Sequence, residues 1–279
     1  MKTLILCADD FALNEAVSRG IIALAEAGCL SAISCMSASR HWREHAGWLT
    51  PLHDKIDIGL HLTLTELVPL GPMPVLAPGG RLPTLGKVLA DGVLHRLPRQ
   101  EIRGELHRQM EAFIEQTGRA PDFIDGHQHV HLLPGVRETV FELWESYLKP
   151  RQGYLRSCYE PAAEILRRGV EPVKALVIST LSMRLTRRAR KAGAITNDSF
   201  RGVHDFSGSV APQQLFPRFL QGQGACPLLM CHPGLAAGDD DDELRDWRPQ
   251  EYAYLSSAQF QADLNSAGIT LGRLPRHTA

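Results

Sequence analysis

The chain has 279 residues, and its 30 Lys and Arg against 31 Asp and Glu give a formal net charge of −1. This balance argues against a nucleic-acid partner, and the short cationic run at 187–191 is expected to be a solvated helix face. No apolar run is long enough for a membrane span, and the run at the N-terminus is too short for a signal peptide, so we expect a cytoplasmic protein without a membrane partner.

The first predicted strand ends in two adjacent carboxylates. The apolar run at 3–8 leads into Asp9 and Asp10, and a helix follows with Asn14 as N-cap and Gly28 as C-cap. Neighbouring carboxylates at the end of a buried strand repel each other unless a cation or protons offset their charge. A metal ion would let one carboxylate bind while the other serves as a base. An acidic turn that favours the helix dipole is the alternative.

Two other predicted strands carry a histidine at the same position. His61 lies near the end of the apolar run at 56–63, and the run at 227–231 leads into His232 before Pro233 and Gly234 end it. A lone histidine is more often a core or surface residue than a ligand. The repetition favours function, because the active site of an α/β barrel lies at the carboxyl ends of its strands.

The run at 125–131 reads DGHQHVH and is the strongest single signal. On a strand, His127, His129 and His131 would share one face, where neutral imidazoles are suited to a divalent metal. The outer two would start about 13 Å apart, so one or two of them are expected to be ligands and the rest to contact substrate or ligands. A polar strand that faces solvent is the alternative.

Strand and helix patterns alternate along the chain, which predicts a parallel sheet in an α/β fold. The acidic run at 238–243 lacks the spacing of a calcium loop and is expected to be solvated. About eight strands suggest a closed or nearly closed barrel. The predicted strands are near 3–8, 31–36, 56–63, 122–128, 153–157, 193–196, 227–231 and 269–273, and the clearest helices are at 99–117, from 134, at 172–191 and at 249–267.

Four blocks resemble the signatures of the YdjC-like carbohydrate deacetylases, a family that includes chitooligosaccharide deacetylases. They are ADDF at 8–11, GLHLTLT at 59–65, DGHQHVH at 125–131 and CHPG at 231–234, in family order. The resemblance implies a single-domain distorted (β/α) barrel over residues 1–279. This chain has Ala12 where the family commonly has Gly. The segment 69–98 matches no block and is expected to shape the choice of sugar.

The resemblance and the chemistry of amide hydrolysis together imply a metal site formed by Asp10, His61 and His127. Three protein ligands leave positions open for water and for the acetyl oxygen. His129 or His131 replaces His127 in the alternative assignment. The resemblance favours Mg²⁺, whereas mixed Asp and His ligation by itself favours Zn²⁺ or Mn²⁺.

The same reasoning assigns roles to three further residues. Asp9 is expected to be the general base, and His232 the general acid towards the leaving amine, with stabilisation of the oxyanion as its alternative. Arg156, together with His129 and His131, is expected to contact substrate or metal ligands. A rim arginine in an ion pair is the other interpretation of Arg156.

The function expected from these residues is metal-dependent removal of an N-acetyl group from an acetylated amino sugar or a short chitooligosaccharide. The partner is therefore a small acetylated sugar, and a homodimer is left open. Two alternatives stand beside it: a metal-dependent phosphoesterase or other amidohydrolase-type barrel enzyme, and a sugar-binding protein without catalysis. A phosphoesterase would be expected to have more metal ligands, since two-metal sites are usual there.

Overall fold

A curled sheet of parallel strands forms the centre of the molecule. The structure, a computed structural model, describes residues 2–222, 224–237 and 242–275. In this part of the chain, eight strands pair in parallel. They are β1 (Lys2–Phe11), β2 (Ala32–Cys35), β3 (Asp57–Leu62), β4 (Phe123–Gly126), β5 (Tyr154–Leu155), β6 (Phe200–Arg201), β7 (Leu228–Cys231) and β8 (Ile269–Leu271).

The strand order is β5-β4-β3-β2-β1-β7-β6, and β8 pairs with the first residues of β1. Within the described ranges no ladder joins β5 to β6, so the barrel is open between these two short strands. A hydrogen bond from the N–H of Leu155 to the carbonyl of Ile195, 3.1 Å long, links the two sides of this opening. The predicted α/β class and distorted (β/α) barrel are confirmed.

Helices follow most strands and cover the sheet. They are α1 (Glu15–Glu26), α2 (Trp42–His45), α3 (Leu85–Val93), α4 (Arg99–Thr117), α5 (Arg137–Leu143), α6 (Ala162–Arg168), α7 (Pro172–Lys191), α8 (Pro212–Leu220), α9 (Arg248–Leu255) and α10 (Ala258–Ser266). In the described residues no helix combines the length and the apolar character that a membrane crossing requires.

Local signals set the helix ends where they were predicted. Asn14 Oδ1 accepts a hydrogen bond from the N–H of Val17 at 2.8 Å and caps α1, which the chain leaves through Gly28 at φ +73°. Helix α4 begins after Pro98 and ends at Gly118, whose φ of +69° is easily adopted only by a residue without a side chain.

Three predicted elements are wrong in detail. The strand predicted at 193–196 is a loop, and β6 lies at Phe200–Arg201 instead. The helix predicted at 249–267 is two helices, because Ser257 caps a new helix by accepting a hydrogen bond from the N–H of Phe260. The strand predicted at 122–128 ends at Gly126.

The register of the strands positions the polar residues. Leu4 to Ala8 of β1 are fully buried between the neighbouring strands and the helices, which fixes the strand at the centre of the sheet. Ala8 lies opposite Cys231 of β7, and His61 lies opposite Asp125 of β4. The carboxyl ends of the parallel strands therefore bring the four sequence blocks to one face of the barrel.

Candidate active site

A distortion of β1 turns two neighbouring carboxylates towards the same cavity. On a regular strand Asp9 and Asp10 would point to opposite faces. The pairing of β1 with β2 is irregular between Ala8 and Phe11, and Asp10 has a φ of +66°. Both side chains consequently line one cavity although each residue is at most 2% exposed. A left-handed Asp at this position is backbone strain of the kind that accumulates at functional sites.

Asp10, His61 and His127 converge as the sequence predicted. Asp10 Oδ1 lies 2.8 Å from His127 Nδ1 and 3.4 Å from His61 Nε2. One oxygen and two nitrogens from these residues lie within 4.8 Å of one another. Donors that hold one metal ion at about 2.0–2.2 Å lie about 3 Å apart, so this set fits a divalent cation.

Asp125 orients His61 and was missed as a site residue. Its Oδ1 accepts a hydrogen bond from His61 Nδ1 at 2.7 Å and another from the Ser34 hydroxyl at 2.5 Å. This leaves His61 Nε2 facing Asp10, the arrangement typical of a metal-ligating histidine held by a carboxylate. Burial by itself would lower the pKa of His61, but the carboxylates of Asp125 and Asp9 raise it to about 10. The site attracts positive charge.

Arg248 holds the other oxygen of Asp10, and sequence reasoning did not find it. Its Nη2 donates to Asp10 Oδ2 at 2.9 Å, and its Nε donates to Asp242 Oδ2 at 2.5 Å. Burial would raise the pKa of Asp10, but His127 and Arg248 hold it well below its usual value. Asp10 therefore stays ionised, with Oδ1 directed at the two histidines.

The acidic run predicted to be solvated is only partly described. For residues 238–241 the prediction lies outside the described residues. Asp242 departs from it, because its carboxylate accepts two hydrogen bonds from Arg248.

Arg156 is buried beneath the cavity and not at the barrel rim. Its Nη1 and Nη2 donate to the two oxygens of Asp9 at 2.7 and 2.6 Å, and its Nε lies 2.9 Å from Asp125 Oδ2. Cys7, Asp9 and Asp125 also offer donor atoms within 4.8 Å of one another. The guanidinium already contacts both carboxylates of this second group, which makes the group a poor place for a cation.

The histidine run is a turn and not a strand, so the prediction that its histidines share one face is wrong. After Gly126 the chain forms a 3₁₀ turn, His127–Leu132, with φ of +51° at Gln128 and +62° at His129. A Cβ on Gly126 would meet the backbone nitrogen of His131 at 3.0 Å, so glycine lets the turn return this closely without a shift of His131. His127 consequently contacts Asp10, whereas His129 and His131 both lie beside Cys158.

The other two histidines of the run occupy different environments. His129 lines the cavity, whereas His131 lies behind it, and each has one ring nitrogen 3.8 Å from Cys158 Sγ. Burial and the positive charge of Arg156 lower the pKa of His131 to about 3, so its ring is neutral. His131 is thus placed to support the turn, and His129 is placed to meet a ligand.

His232 also lines the cavity. It follows β7, and its backbone N–H donates to Glu251, whose other oxygen accepts from the Trp247 indole at 2.7 Å. Its Nδ1 is buried and has no hydrogen-bond partner within the described residues. Burial lowers the pKa of His232, while the carboxylates of Asp10 and Asp9 oppose that effect. The imidazole of His232 therefore lies at the cavity surface with Nδ1 turned away from solvent.

The cavity above these residues has a volume of about 480 Å³. We call its polar bottom the floor; it consists of Asp9, Asp10, His61, Gly126, His127, His129, His232 and Arg248. We call its apolar sides the walls; they include Leu85, Leu89, Leu133, Val177, Ile178 and Leu181.

Comparison with known proteins finds one family and several relatives. The YdjC-like protein family matches residues 3–266. A chitooligosaccharide deacetylase of Proteus mirabilis is 35% identical over 148 residues, which are 53% of this chain and 57% of that protein. The chain thus spans about half the length of the first chitooligosaccharide deacetylases that it matches. A carbohydrate deacetylase of Homo sapiens is 30% identical over 96% of this chain and 88% of that protein.

A solved structure supports the fold. It comes from Enterococcus faecalis and is described as a candidate cellobiose-phosphate cleavage protein. It superposes with a TM-score of 0.72 over 98% of this chain and 97% of its own, at 22% identity. At that identity the likeness concerns the fold alone.

Proposed function

The chain belongs to the YdjC-like protein family, and on that premise we propose that it is a metal-dependent hydrolase that removes the N-acetyl group from an acetylated amino sugar or short chitooligosaccharide. The convergence of Asp10, His61 and His127 at the bottom of an open cavity carries the proposal. Relatives named as chitooligosaccharide and carbohydrate deacetylases support the reaction type.

The three converging residues would hold the cation. A divalent ion there would supply Lewis acidity, which lowers the pKa of water and polarises an acetyl carbonyl. One carboxylate and two imidazoles accommodate Mg²⁺, Mn²⁺ or Zn²⁺, and Mg²⁺ is our first choice by family resemblance. The carboxylate-bound Nδ1 of His61 and the arginine-bound Oδ2 of Asp10 fix which donor atoms face the ion.

Asp9 is the proposed general base. Arg156 contacts each of its carboxylate oxygens once, and the Cys7 thiol also donates to Oδ1 at 3.4 Å, so Oδ2 keeps a lone pair that can accept a proton from water. The guanidinium also fixes the plane of the carboxylate. Arg156 is therefore a positioning residue: it is buried, and it does not line the cavity.

His232 is the proposed general acid. The amine of an amide leaves poorly unless it is protonated, and His232 lines the cavity near the carboxylates of Asp10 and Asp9. A substrate nitrogen held between His232 and the carboxylates would meet an acid on one side and a base on the other. Stabilisation of the oxyanion is the alternative role of the same side chain.

One assay separates the candidate functions. Purified protein, stripped of metal and resupplied with Mg²⁺, Mn²⁺ or Zn²⁺, is given chitobiose and chitotriose, and released acetate is measured beside phosphate released from a sugar phosphate. We expect acetate release that requires a metal. Phosphate release without acetate would favour the phosphoesterase, and sugar binding without either product would favour the non-catalytic protein.

A further inference from the structure

The walls of the cavity are unusually apolar for a site that handles a sugar. Leu85 and Leu89 of α3 form one side, and Val177, Ile178 and Leu181 of α7 form the other. Both helices pack against the turn at His127–Leu132, so they stand directly above the floor. A molecule that reaches the floor between α3 and α7 contacts an aliphatic surface on each side.

The apolar surfaces continue out of the cavity into solvent. On α3, Leu85, Leu89 and Val93 are spaced four residues apart and so share one helix face, and Val93 is 56% exposed. On α7, residues 173, 177 and 181 have the same spacing, and Val173 and Val177 are 74% and 51% exposed. Contiguous exposed apolar surface at the mouth of a site marks something that binds there.

Sugar hydroxyls would find few partners along these walls. A second pyranose ring needs hydrogen-bonding groups or an aromatic platform, and burying its hydroxyls against aliphatic side chains is costly. The Phe206 ring, 5.0 Å from the His232 ring, is an aromatic surface close to the floor and away from α3 and α7. The polar residues that line the cavity outside the floor are Glu66, Gln128, Lys174, Asp242 and Glu243. Lys174 already donates to the carbonyl of His204, Asp242 accepts from Arg248, and Gln128 lies 3.4 Å from Glu66. Gln128 Oε1 is buried without a partner in the described residues, close to the floor, where the first sugar ring would lie.

We propose that the walls bind an extended aliphatic aglycone, so that the substrate is an acetylated amino sugar joined to an apolar chain. This inference rests on the proposed deacetylation and specifies its substrate class. The acetyl group must reach the buried floor, because His61, Asp10 and Asp9 lie there. The sugar ring then occupies the level of Gln128, and the group attached to it leaves between α3 and α7.

The test uses N-acetylglucosaminides that differ only in the aglycone. Methyl, hexyl and octyl glycosides, each below its micelle concentration, are compared with chitobiose, and release of the free amine gives kcat/KM. Full burial of one methylene is worth about a fourfold gain in affinity, so partial enclosure of an octyl chain should raise kcat/KM about 30-fold over the methyl glycoside. Chitobiose should resemble the methyl glycoside.

Substitutions in the walls should remove this advantage. Val177→Asn and Leu89→Gln place polar groups in the two walls, and the octyl-to-methyl ratio of kcat/KM should fall about fivefold in each. Val75→Asn is the matched control, since Val75 is 68% exposed and does not line the cavity. It should keep the wild-type ratio.

Each outcome decides a different point. Equal kcat/KM for methyl and octyl glycosides overturns the aglycone assignment but leaves deacetylation standing, whereas no amine from any substrate overturns the proposed function. A wild-type ratio in Val177→Asn and Leu89→Gln also contradicts the assignment.

Two further outcomes would overturn it in favour of another ligand. Faster turnover of N-octanoylglucosamine than of N-acetylglucosamine would place the apolar group on the acyl side. Absence of chain-length dependence, together with sedimentation of the protein on phosphatidylcholine vesicles, would overturn the aglycone assignment and assign the exposed apolar faces of α3 and α7 to membrane docking.

Discussion

The floor of the cavity consists mainly of polar and charged residues, whereas its walls consist of aliphatic ones. The floor contains buried charges and strained backbone, including positive φ at Asp10 and His129. The walls are mostly regular helix. Within Leu85–Val93 and Pro172–Lys191, no residue has a positive φ. Buried charges and strain are costly and persist where geometry must be fixed.

This difference separates two tasks. The floor would carry the reaction, and its groups would act on every substrate that reaches them. The walls would discriminate between substrates through apolar contact, which depends on area more than on exact geometry. Floor substitutions should therefore change turnover of all substrates by one factor, and wall substitutions should change the ratio between substrates.

The largest expected effect comes from Asp9→Asn. An amide cannot accept the proton of the attacking water, so acetate release should fall about 10²–10⁴-fold on every substrate while the metal is retained. Asp10→Asn is the matched neighbour and should instead lose metal. Metal content and thermal unfolding of both variants identify which property changed. Near wild-type turnover in Asp9→Asn would show that the base is another group.

Asp125→Asn should have the next largest effect, on the metal and not on the proton transfer. Asp125 orients His61 through Nδ1, and loss of such a partner typically lowers metal affinity about 10–100-fold. A competition titration against a fluorescent chelator measures the change. Activity should return at saturating metal, and failure to recover would indicate a role beyond positioning His61.

The pH dependence of metal affinity should show a smaller, graded effect. Asp125 and Asp9 outweigh the effect of burial and raise the pKa of His61 to about 10, so metal-free protein carries an extra proton at neutral pH. Metal must displace it, and the association constant should rise about tenfold per pH unit between pH 6 and 9. Asp125→Asn should flatten this slope. A pH-independent affinity in the wild type would contradict the assignment of His61.

Ala12→Gly is expected to have the smallest effect and tests strain at the edge of the floor. Ala12 has a φ of +73°, where relief of about 1–2 kcal/mol of strain should outweigh the entropic cost of glycine. We expect the free energy of unfolding in urea to rise by about 0.5 kcal/mol. Ala25→Gly, inside α1, should lower it by about 1 kcal/mol. A comparable loss in Ala12→Gly would mean that the loop is unstrained.

Sequence reasoning found the features that depend on residues close together in the chain, such as helix ends and strand ends. The apolar stripe and Gly118 marked α4, and Pro172 marked the start of α7. Polar residues at strand ends identified Asp10, His61 and His127. The two-residue strand β6 carries too little apolar pattern to be found. The split between α9 and α10 depends on one serine cap within an otherwise continuous helical pattern.

Sequence reasoning could not find contacts made across the fold. Arg248 lies 238 residues from Asp10, and the pairing of Arg156 with Asp9 spans 147 residues. No spacing rule relates such positions, because the barrel brings them together. The turn at His127–Leu132 was missed for a local reason, since left-handed Gln128 and His129 leave no periodic signature. The same turn separates one proposed ligand from its neighbours.

Reconstitution of metal-free protein tests the central claim most directly. Protein stripped by chelation is titrated with Mg²⁺, Mn²⁺ and Zn²⁺, and bound metal and acetate release are followed together in the wild type, His61→Ala, His127→Ala and His41→Ala. His41 lies outside the converging set and serves as the control. We expect one ion per chain and acetate release in proportion to it in the wild type and His41→Ala, with both lost in the other two. Full turnover by verified metal-free protein, or equal metal content in all four proteins, would contradict the account.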